Sequence, residues 1–169
     1  MFSLEGKKAL VVGVANDQSI AYGIARALRT QGADLAITYL NARAEPHVRP
    51  LAEDLGAELI LPLDVAEDAQ MDAVFAAIAE RWGSLDFLVH AIVFSDKTEL
   101  RGSYTDNTTA ANFSQTMLIS VYSFTAVCQR AAALMTDGGS CLTLSYYGAE
   151  KVMPRWRHSS TSYFGFSSS

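Results

Sequence analysis

Hydrophobic positions along the chain fall into short continuous runs that alternate with stretches of helical spacing. Continuous runs are typical of buried strands, and spaced positions are typical of helices with one apolar face. In the third helical stretch that face consists of Met71, Val74, Phe75, Ile78 and Trp82. We predict strands over 8–12, 34–40, 58–63, 85–94 and 140–146, and helices over 19–31, 44–55, 67–82 and within 107–135.

This alternation predicts an α/β fold. Apolar strands with little polar interruption are typical of a parallel sheet covered on both faces. Right-handed crossovers then give a Rossmann-like, doubly wound sheet with the strand order 3-2-1-4-5. The last stretch, 155–169, is crowded with serine and follows neither period. We therefore expect one domain over 1–154 and a divergent, disordered tail over 155–169.

Composition and charge narrow the classes of function. A chain of 169 residues, half of them hydrophobic, can bury one sizeable core. The net charge of −5 argues against a duplex nucleic acid as partner. Without an apolar run of about 18 residues or a signal region, we expect a cytoplasmic protein. The two cysteines, Cys128 and Cys141, suit neither a disulfide framework nor a zinc site, and we expect reduced, buried thiols.

The loop after the first predicted strand is where a dinucleotide pyrophosphate would lie. Backbone N–H groups at a helix N-terminus point outward, and the helix dipole favours anions. Gly13 lets the backbone turn close to a ligand, Ser19 can cap the helix and donate to a phosphate, and Gly23 lets the helix approach the sheet. The spacing is not G-x-G-x-x-G, so the pattern is weak, and an ordinary capped helix after a turn is the alternative interpretation.

The ends of the next two strands give mixed indications. NAD-binding domains often place an acid after the second strand, but no acid precedes Glu45 here. The third strand ends in Asp64 and Val65. The Asp64 carboxylate could accept from an adenine amine, with a backbone N–H completing the contact, or it could cap the following helix.

Together these segments resemble the NADH-dependent enoyl-acyl-carrier-protein reductases of bacterial fatty-acid synthesis, a divergent branch of the short-chain dehydrogenases/reductases. The resemblance runs from residue 1 to about residue 154. It is carried by the order and spacing of five segments: 13–23, the pair 64–65, His90-Ala-Ile-Val-Phe94, the stretch 119–124, and 142–150.

The resemblance implies an oxidoreductase with a Rossmann-like fold. NADH would pass a hydride to the β-carbon of a 2-enoyl thioester on acyl-carrier protein, and the enolate would then be protonated. The cofactor-binding residues so implied are Gly13, Ser19, Ile20, Asp64, Val65 and Ile92. Ser95 would contact substrate, and Tyr146 would lie at the catalytic centre. Arg43 leaves NADPH open, although a solvated helix charge is the commoner role for such a residue.

The chain departs from the family pattern at the catalytic pair. In register, Trp156 stands at the tyrosine position and Tyr163 at the lysine position. An indole has one N–H and no proton to titrate, and a phenol carries no positive charge. Family members run well past this length and form homo-oligomers. We expect a truncated chain that lacks the last strands and helices, leaves its fifth strand as an open edge, and assembles doubtfully.

Other arrangements carry less chemistry. Tyr147 and Lys151 match a tyrosine–lysine spacing of the main branch, but they follow the fifth strand directly, and we interpret the match as coincidence. Ser145 lacks histidine and acid partners for a hydrolase triad. The histidines have no metal-ligand spacing, and we expect His90 to be a satisfied core residue.

We therefore predict an enoyl reductase by resemblance whose present chain is inactive. The alternatives are a non-catalytic nucleotide-binding fragment and an interaction remnant that binds no dinucleotide.

Overall fold

The computed structural model describes residues 3–99 and 104–145. Its strands are β1 (Lys8–Val12), β2 (Asp34–Tyr39), β3 (Leu59–Pro62), β4 (Phe87–His90) and β5 (Ser140–Thr143). Its helices are α1 (Ile20–Thr30), α2 (Glu45–Asp54), α3 (Asp68–Trp82), α4 (Tyr104–Asn107), α5 (Ala110–Met117) and α6 (Ser123–Ala132), with a π-helical turn, Leu118–Tyr122, between α5 and α6.

The strands form one parallel sheet in the order β3-β2-β1-β4-β5, which confirms the predicted topology. Leu10 in β1 lies opposite Ala36 in β2 and Leu88 in β4. The chain builds outward from β1 to β3, then returns to the other side of β1 with β4. The carboxyl ends of β1 and β4 therefore meet where the strand order reverses, which is where doubly wound sheets bind ligands.

The core lies around the central strand. Ala9, Leu10, Val11 and Val12 are fully buried, because β1 has neighbouring strands on both edges and apolar packing on both faces. The preceding residue, Lys8, directs its ammonium group to the Trp82 carbonyl at 2.8 Å. In β1, therefore, the continuous apolar run coincides with a strand that is buried on both faces.

The helices begin and end where their local chemistry dictates. Ser19 caps α1 by accepting from the Tyr22 N–H, and Gly83 ends α3 with a φ of +70°. Only glycine adopts that left-handed conformation readily. The predicted apolar face of α3 is confirmed at Met71, Val74, Phe75 and Ile78, which are all buried.

Three predicted elements differ from the structure. The fifth strand was expected over 140–146 but covers only Ser140–Thr143, and residues 144–145 are not in a strand. The fourth strand was expected over 85–94 but covers only Phe87–His90. Before it, the Leu85 N–H donates to the Leu134 carbonyl; after it, both backbone groups of Phe94 bond to the Ser120 hydroxyl. The helix expected within 107–135 is divided by the π-helical turn, where the Ser123 hydroxyl donates to the Ile119 carbonyl at 2.6 Å.

The cysteines are less buried than expected. Cys128 is half-buried and Cys141 is exposed, so the prediction of two buried thiols is wrong. The reason is the position of β5, whose only partner strand among residues 3–99 and 104–145 is β4 and whose four residues are all exposed. The open edge expected at the fifth strand stays a prediction, because residues 146–169 lie outside the described part of the chain.

Contacts divide the chain into two compact units. One comprises residues 1–91 and 126–143, and the other comprises residues 92–125 and 144–169. The first contains the sheet with α1 to α3, and the second contains the segment after β4 with α4 and α5. The expected domain over 1–154 stays a prediction, and its tail, 155–169, lies outside the described residues. Within the part of the chain that is described, no helix is long and apolar enough to cross a membrane.

Candidate functional site

The loop after β1 begins with a turn whose backbone conformation glycine adopts readily and other residues do not. Gly13 has a φ of +102°, in the left-handed region. The side chain of Val14 returns to the core, while residues 15–18 are exposed. The loop therefore lies at the carboxyl edge of the sheet with four exposed residues, three of which carry polar side chains.

Ser19 caps α1, as its sequence position predicts. Its Oγ accepts from the Tyr22 N–H at 3.4 Å and donates to the Asn16 carbonyl at 2.7 Å. The hydroxyl proton is therefore already used within the loop. The N–H groups of Ile20 and Ala21 meet no acceptor among the described residues, so the first turn of α1 keeps two donors for an external anion. Ile20 itself is 67% exposed.

The turn after β3 holds Asp64 and Val65. The Asp64 Oδ1 accepts from the Ala66 N–H at 3.0 Å, and the Asp64 N–H donates to the Gln70 side chain at 2.9 Å. The cap of α3 is Glu67, which makes no side-chain capping bond. The alternative that Asp64 caps this helix is therefore wrong. Asp64 closes a turn, half-exposed, beside the buried Val65.

The end of β2 carries no acid, as the sequence indicates. Leu40 is 53% exposed there. The Asn41 carboxamide oxygen accepts from the N–H groups of Arg43 and Ala44, at 3.0 and 3.1 Å, and so orders the entry to α2. The side chain of Arg43 is exposed.

The segment after β4 belongs to the second unit and carries Ile92 and Ser95, both half-buried. The Ser95 hydroxyl lies 3.5 Å from the Asn112 amide nitrogen. The Ser120 hydroxyl accepts from the Phe94 N–H at 3.0 Å and lies 3.1 Å from the Phe94 carbonyl. Side chains of α5 and the π-helical turn thus fix the backbone on which the two predicted residues stand.

His90 is a core residue, as predicted, and not a base. Its side chain is fully buried, and Nδ1 lies 3.2 Å from the Thr143 hydroxyl on β5. Burial lowers the pKa of His90 to about 4. The imidazole is therefore neutral at physiological pH and ties β4 to β5.

The remaining candidate residues lie outside the part of the chain that the structure describes. They are the predicted catalytic residue Tyr146, the pair Tyr147 and Lys151, and the positions Trp156 and Tyr163. Among the residues that are described, no cluster of three or more His, Cys, Asp or Glu side chains could hold a metal ion.

Sequence reasoning missed the residues that order the site. Asn16 accepts from Ser19 through its carbonyl and from the Gln18 N–H through its side chain. Asparagine in a loop favours such turns, so this signal was available. Ser120 and Gln70 act across 26 and 6 residues of sequence, and nothing local in the sequence marks them.

Comparison with known proteins agrees with this architecture. The family model for enoyl-(acyl carrier protein) reductase matches residues 13–167. Enoyl-[acyl-carrier-protein] reductase [NADH] 1 of Rhizobium meliloti (strain 1021) is 55% identical over 153 residues, which is 90% of this chain and 56% of that protein. The chain thus spans little more than half the length of this relative.

Two solved structures are similar. The enoyl-(acyl-carrier-protein) reductase of Anaplasma phagocytophilum, in complex with NAD, matches with a TM-score of 0.90 and 52% identity over 95% of this chain and 62% of that one. The Bacillus cereus enoyl-acyl carrier protein reductase, with NADP+ and indole naphthyridinone, has a TM-score of 0.90 and 39% identity over 97% of this chain and 64% of that one.

Proposed function

The chain belongs to the enoyl-(acyl carrier protein) reductase family, and on that basis we propose that it binds NADH along the carboxyl edge of its sheet. One observation carries the proposal. The turn at Gly13 leads into a helix whose first N–H groups, at Ile20 and Ala21, have no acceptor within the described part of the chain. Such a helix end is suited to a pyrophosphate, because donors and dipole act on the same anion.

The adenosine half of the cofactor is assigned to the turn after β3. Asp64 uses Oδ1 within its turn, and Oδ2 accepts from no group in the described residues. This second oxygen can accept from the adenine amine. The Val65 backbone N–H completes the contact, as the sequence suggested.

Ser19 can donate a hydrogen bond to a phosphate only if its hydroxyl group rotates. Its proton now goes to the Asn16 carbonyl at 2.7 Å, while its lone pair caps Tyr22. Donation to a phosphate requires that the Asn16 bond be given up. We assign Ser19 mainly to ordering the loop and only secondarily to contacting the phosphate. Ile20 is assigned to a position beside the ribose.

The nicotinamide and substrate contacts are proposed from membership of the family. Ile92 is proposed beside the nicotinamide ribose, Ser95 at the substrate, and Tyr146 at the reacting end. In a catalytically complete chain, bound NADH would supply the hydride that reduces the double bond of a 2-enoyl thioester on acyl-carrier protein. Membership of the family also leads us to propose a cytoplasmic location, whereas assembly of this chain into the family's homo-oligomer is doubtful.

We propose NADH over NADPH. Arg43 favours the alternative, since an exposed guanidinium after β2 could meet a 2′-phosphate. The residues just before Arg43 favour NADH instead. The Leu40 side chain offers no hydrogen-bond donor, and the Asn41 carboxamide oxygen already accepts from two backbone N–H groups.

We propose that the chain as written binds the cofactor without turning it over. Trp156 at the tyrosine position and Tyr163 at the lysine position remove the proton donor and the ribose-binding charge. The test is NADH oxidation with a crotonyl thioester, together with calorimetry of NADH and NADPH. We expect cofactor binding weaker than micromolar and negligible oxidation. Turnover that is lost on Tyr147→Phe would refute the proposal and restore Tyr147 and Lys151 as the catalytic pair.

A non-catalytic binding fragment and an interaction remnant predict different results. A fragment binds cofactor without oxidation, whereas a remnant binds neither NADH nor NADPH. Calorimetry alone therefore separates them.

A further inference from the structure

The segment after β4 is held in place by side chains that come later in the sequence. The Ser120 hydroxyl accepts from the Phe94 N–H at 3.0 Å and donates to the Phe94 carbonyl at 3.1 Å. The Asn112 carboxamide oxygen accepts from the Asp96 N–H, also at 3.0 Å. All four residues belong to the second unit. One side chain of α5 and one of the π-helical turn therefore fix the backbone over 94–96.

Ser120 lies in an irregular part of its helix. It stands within the π-helical turn Leu118–Tyr122, which separates α5 from α6. Turns of this kind are rare, and they occur frequently at functional sites. The Ser120 side chain is buried, so water competes little for its hydroxyl. Both backbone groups of Phe94 are therefore held by one shielded hydroxyl.

The backbone fixed in this way presents apolar side chains to solvent. Val93 is 62% exposed and Phe94 is 39% exposed, whereas His90, which ends β4, is fully buried. An exposed apolar surface suits the flat face of a nicotinamide ring, because covering it removes apolar area from water. Ile92, which we assign to the nicotinamide ribose, directly precedes this pair in the sequence.

We propose that Ser120 is a positioning residue for the nicotinamide end of the cofactor. The inference rests on the proposed function, because Ile92 is assigned on family membership. Ser120 acts through Phe94, whose backbone lies beyond the last residue of β4 and is not part of the strand ladder. Without the hydroxyl, two backbone groups lose their partner and the segment becomes less ordered. Binding of the nicotinamide end then includes the cost of ordering the segment.

The test compares two ligands by calorimetry with the full chain. NADH includes the nicotinamide and its ribose, whereas ADP carries only the adenosine and the pyrophosphate. We expect the unaltered chain to bind NADH more tightly than ADP. Ser120→Ala should bind NADH about fivefold more weakly than the unaltered chain, because two hydrogen bonds that order the segment are lost. The same variant should bind ADP with unchanged affinity.

Ser123→Ala is the matched control. The Ser123 side chain is fully buried, and its hydroxyl donates at 2.6 Å to the Ile119 carbonyl of the same helical stretch. Loss of this hydroxyl should lower the urea midpoint of unfolding without changing the affinity for NADH. Circular dichroism of both variants, measured before the titrations, shows whether each keeps its helices.

The outcomes separate this inference from the proposed function. If the unaltered chain binds neither NADH nor ADP, both are overturned. Four results would overturn the role of Ser120 alone: equal affinity of the unaltered chain for NADH and ADP, the same loss of NADH affinity in Ser120→Ala and Ser123→Ala, parallel losses for both ligands in Ser120→Ala, or loss of helix signal in that variant. The last two would mean that the hydroxyl only stabilises the fold.

Discussion

Protonation of His90 should destabilise the folded protein as the pH falls below about 6.5. The imidazole is fully buried between strands, and burial lowers its pKa from 6.5 to about 4. In the unfolded chain the same group titrates near 6.5. Between these values the unfolded state binds a proton that the folded state does not, so stability falls as the pH falls.

The size of the loss in stability follows from the difference between the His90 pKa values in the folded and unfolded states. A difference of about 2.5 pKa units corresponds to about 3 kcal/mol, which is a large part of the 5–15 kcal/mol typical of a whole domain. The loss begins below pH 6.5 and is complete near pH 4. Carboxylates with lowered pKa add their own loss at the lower end of this window, so the His90 contribution has to be isolated by difference.

The assay is urea unfolding at pH 7, 6, 5 and 4 for the unaltered chain and for His90→Gln. Glutamine keeps a polar group near the Thr143 hydroxyl but does not titrate in this range. We expect the variant to be less stable at pH 7 and to lose about 3 kcal/mol less between pH 7 and 4. Parallel pH profiles for the two proteins would show that His90 is not held neutral by burial.

Further predictions concern single contacts. Ser19→Ala should lower the free energy of unfolding by about 1 kcal/mol through loss of the helix cap, and an unchanged urea midpoint would contradict the capping role. Arg130→Met should lower it by less than about 1 kcal/mol, because the two carboxylates that pair with Arg130 are exposed; a larger loss in the same assay would refute this. Hydrogen bonds from Trp82 and then Arg81 lower the pKa of Glu58. The variant Trp156→Phe leaves Trp82 as the one tryptophan in the sequence, and its fluorescence should follow the protonation of Glu58 at a pH below the usual glutamate range.

The parallel sheet could be predicted because its signal is local. Each strand is a run of apolar residues, and the period changes where a helix begins. β1 and α1 were placed to within a residue because Gly13 and Ser19 mark the turn and the cap. The length of β4 could not be predicted, because it ends where the backbone of Phe94 bonds to Ser120, which is 26 residues away in sequence.

The candidate site was predictable only in part. Gly13 and Asp64 follow the strand ends expected from the sequence, and Ser19 caps the expected helix. The sequence leaves open whether Asp64 caps a helix or closes a turn. The outcome depends on the side chains of Gln70 and Glu67, and no sequence pattern specifies their directions. The expectation that Cys141 is buried is wrong because it rested on the residue type alone, and all four residues of β5 are exposed.

We propose that Asp64 faces the adenine of NADH, and one pair of variants tests this contact. Asp64→Asn keeps the oxygen that accepts from the Ala66 N–H but replaces the second acceptor with a donor. Glu67→Gln makes the same charge change three residues away, where no capping bond exists. By calorimetry with NADH, we expect Asp64→Asn to bind about tenfold more weakly than the unaltered chain and Glu67→Gln to bind equally well. Equal affinities for both variants, or no binding by the unaltered chain, would contradict the account.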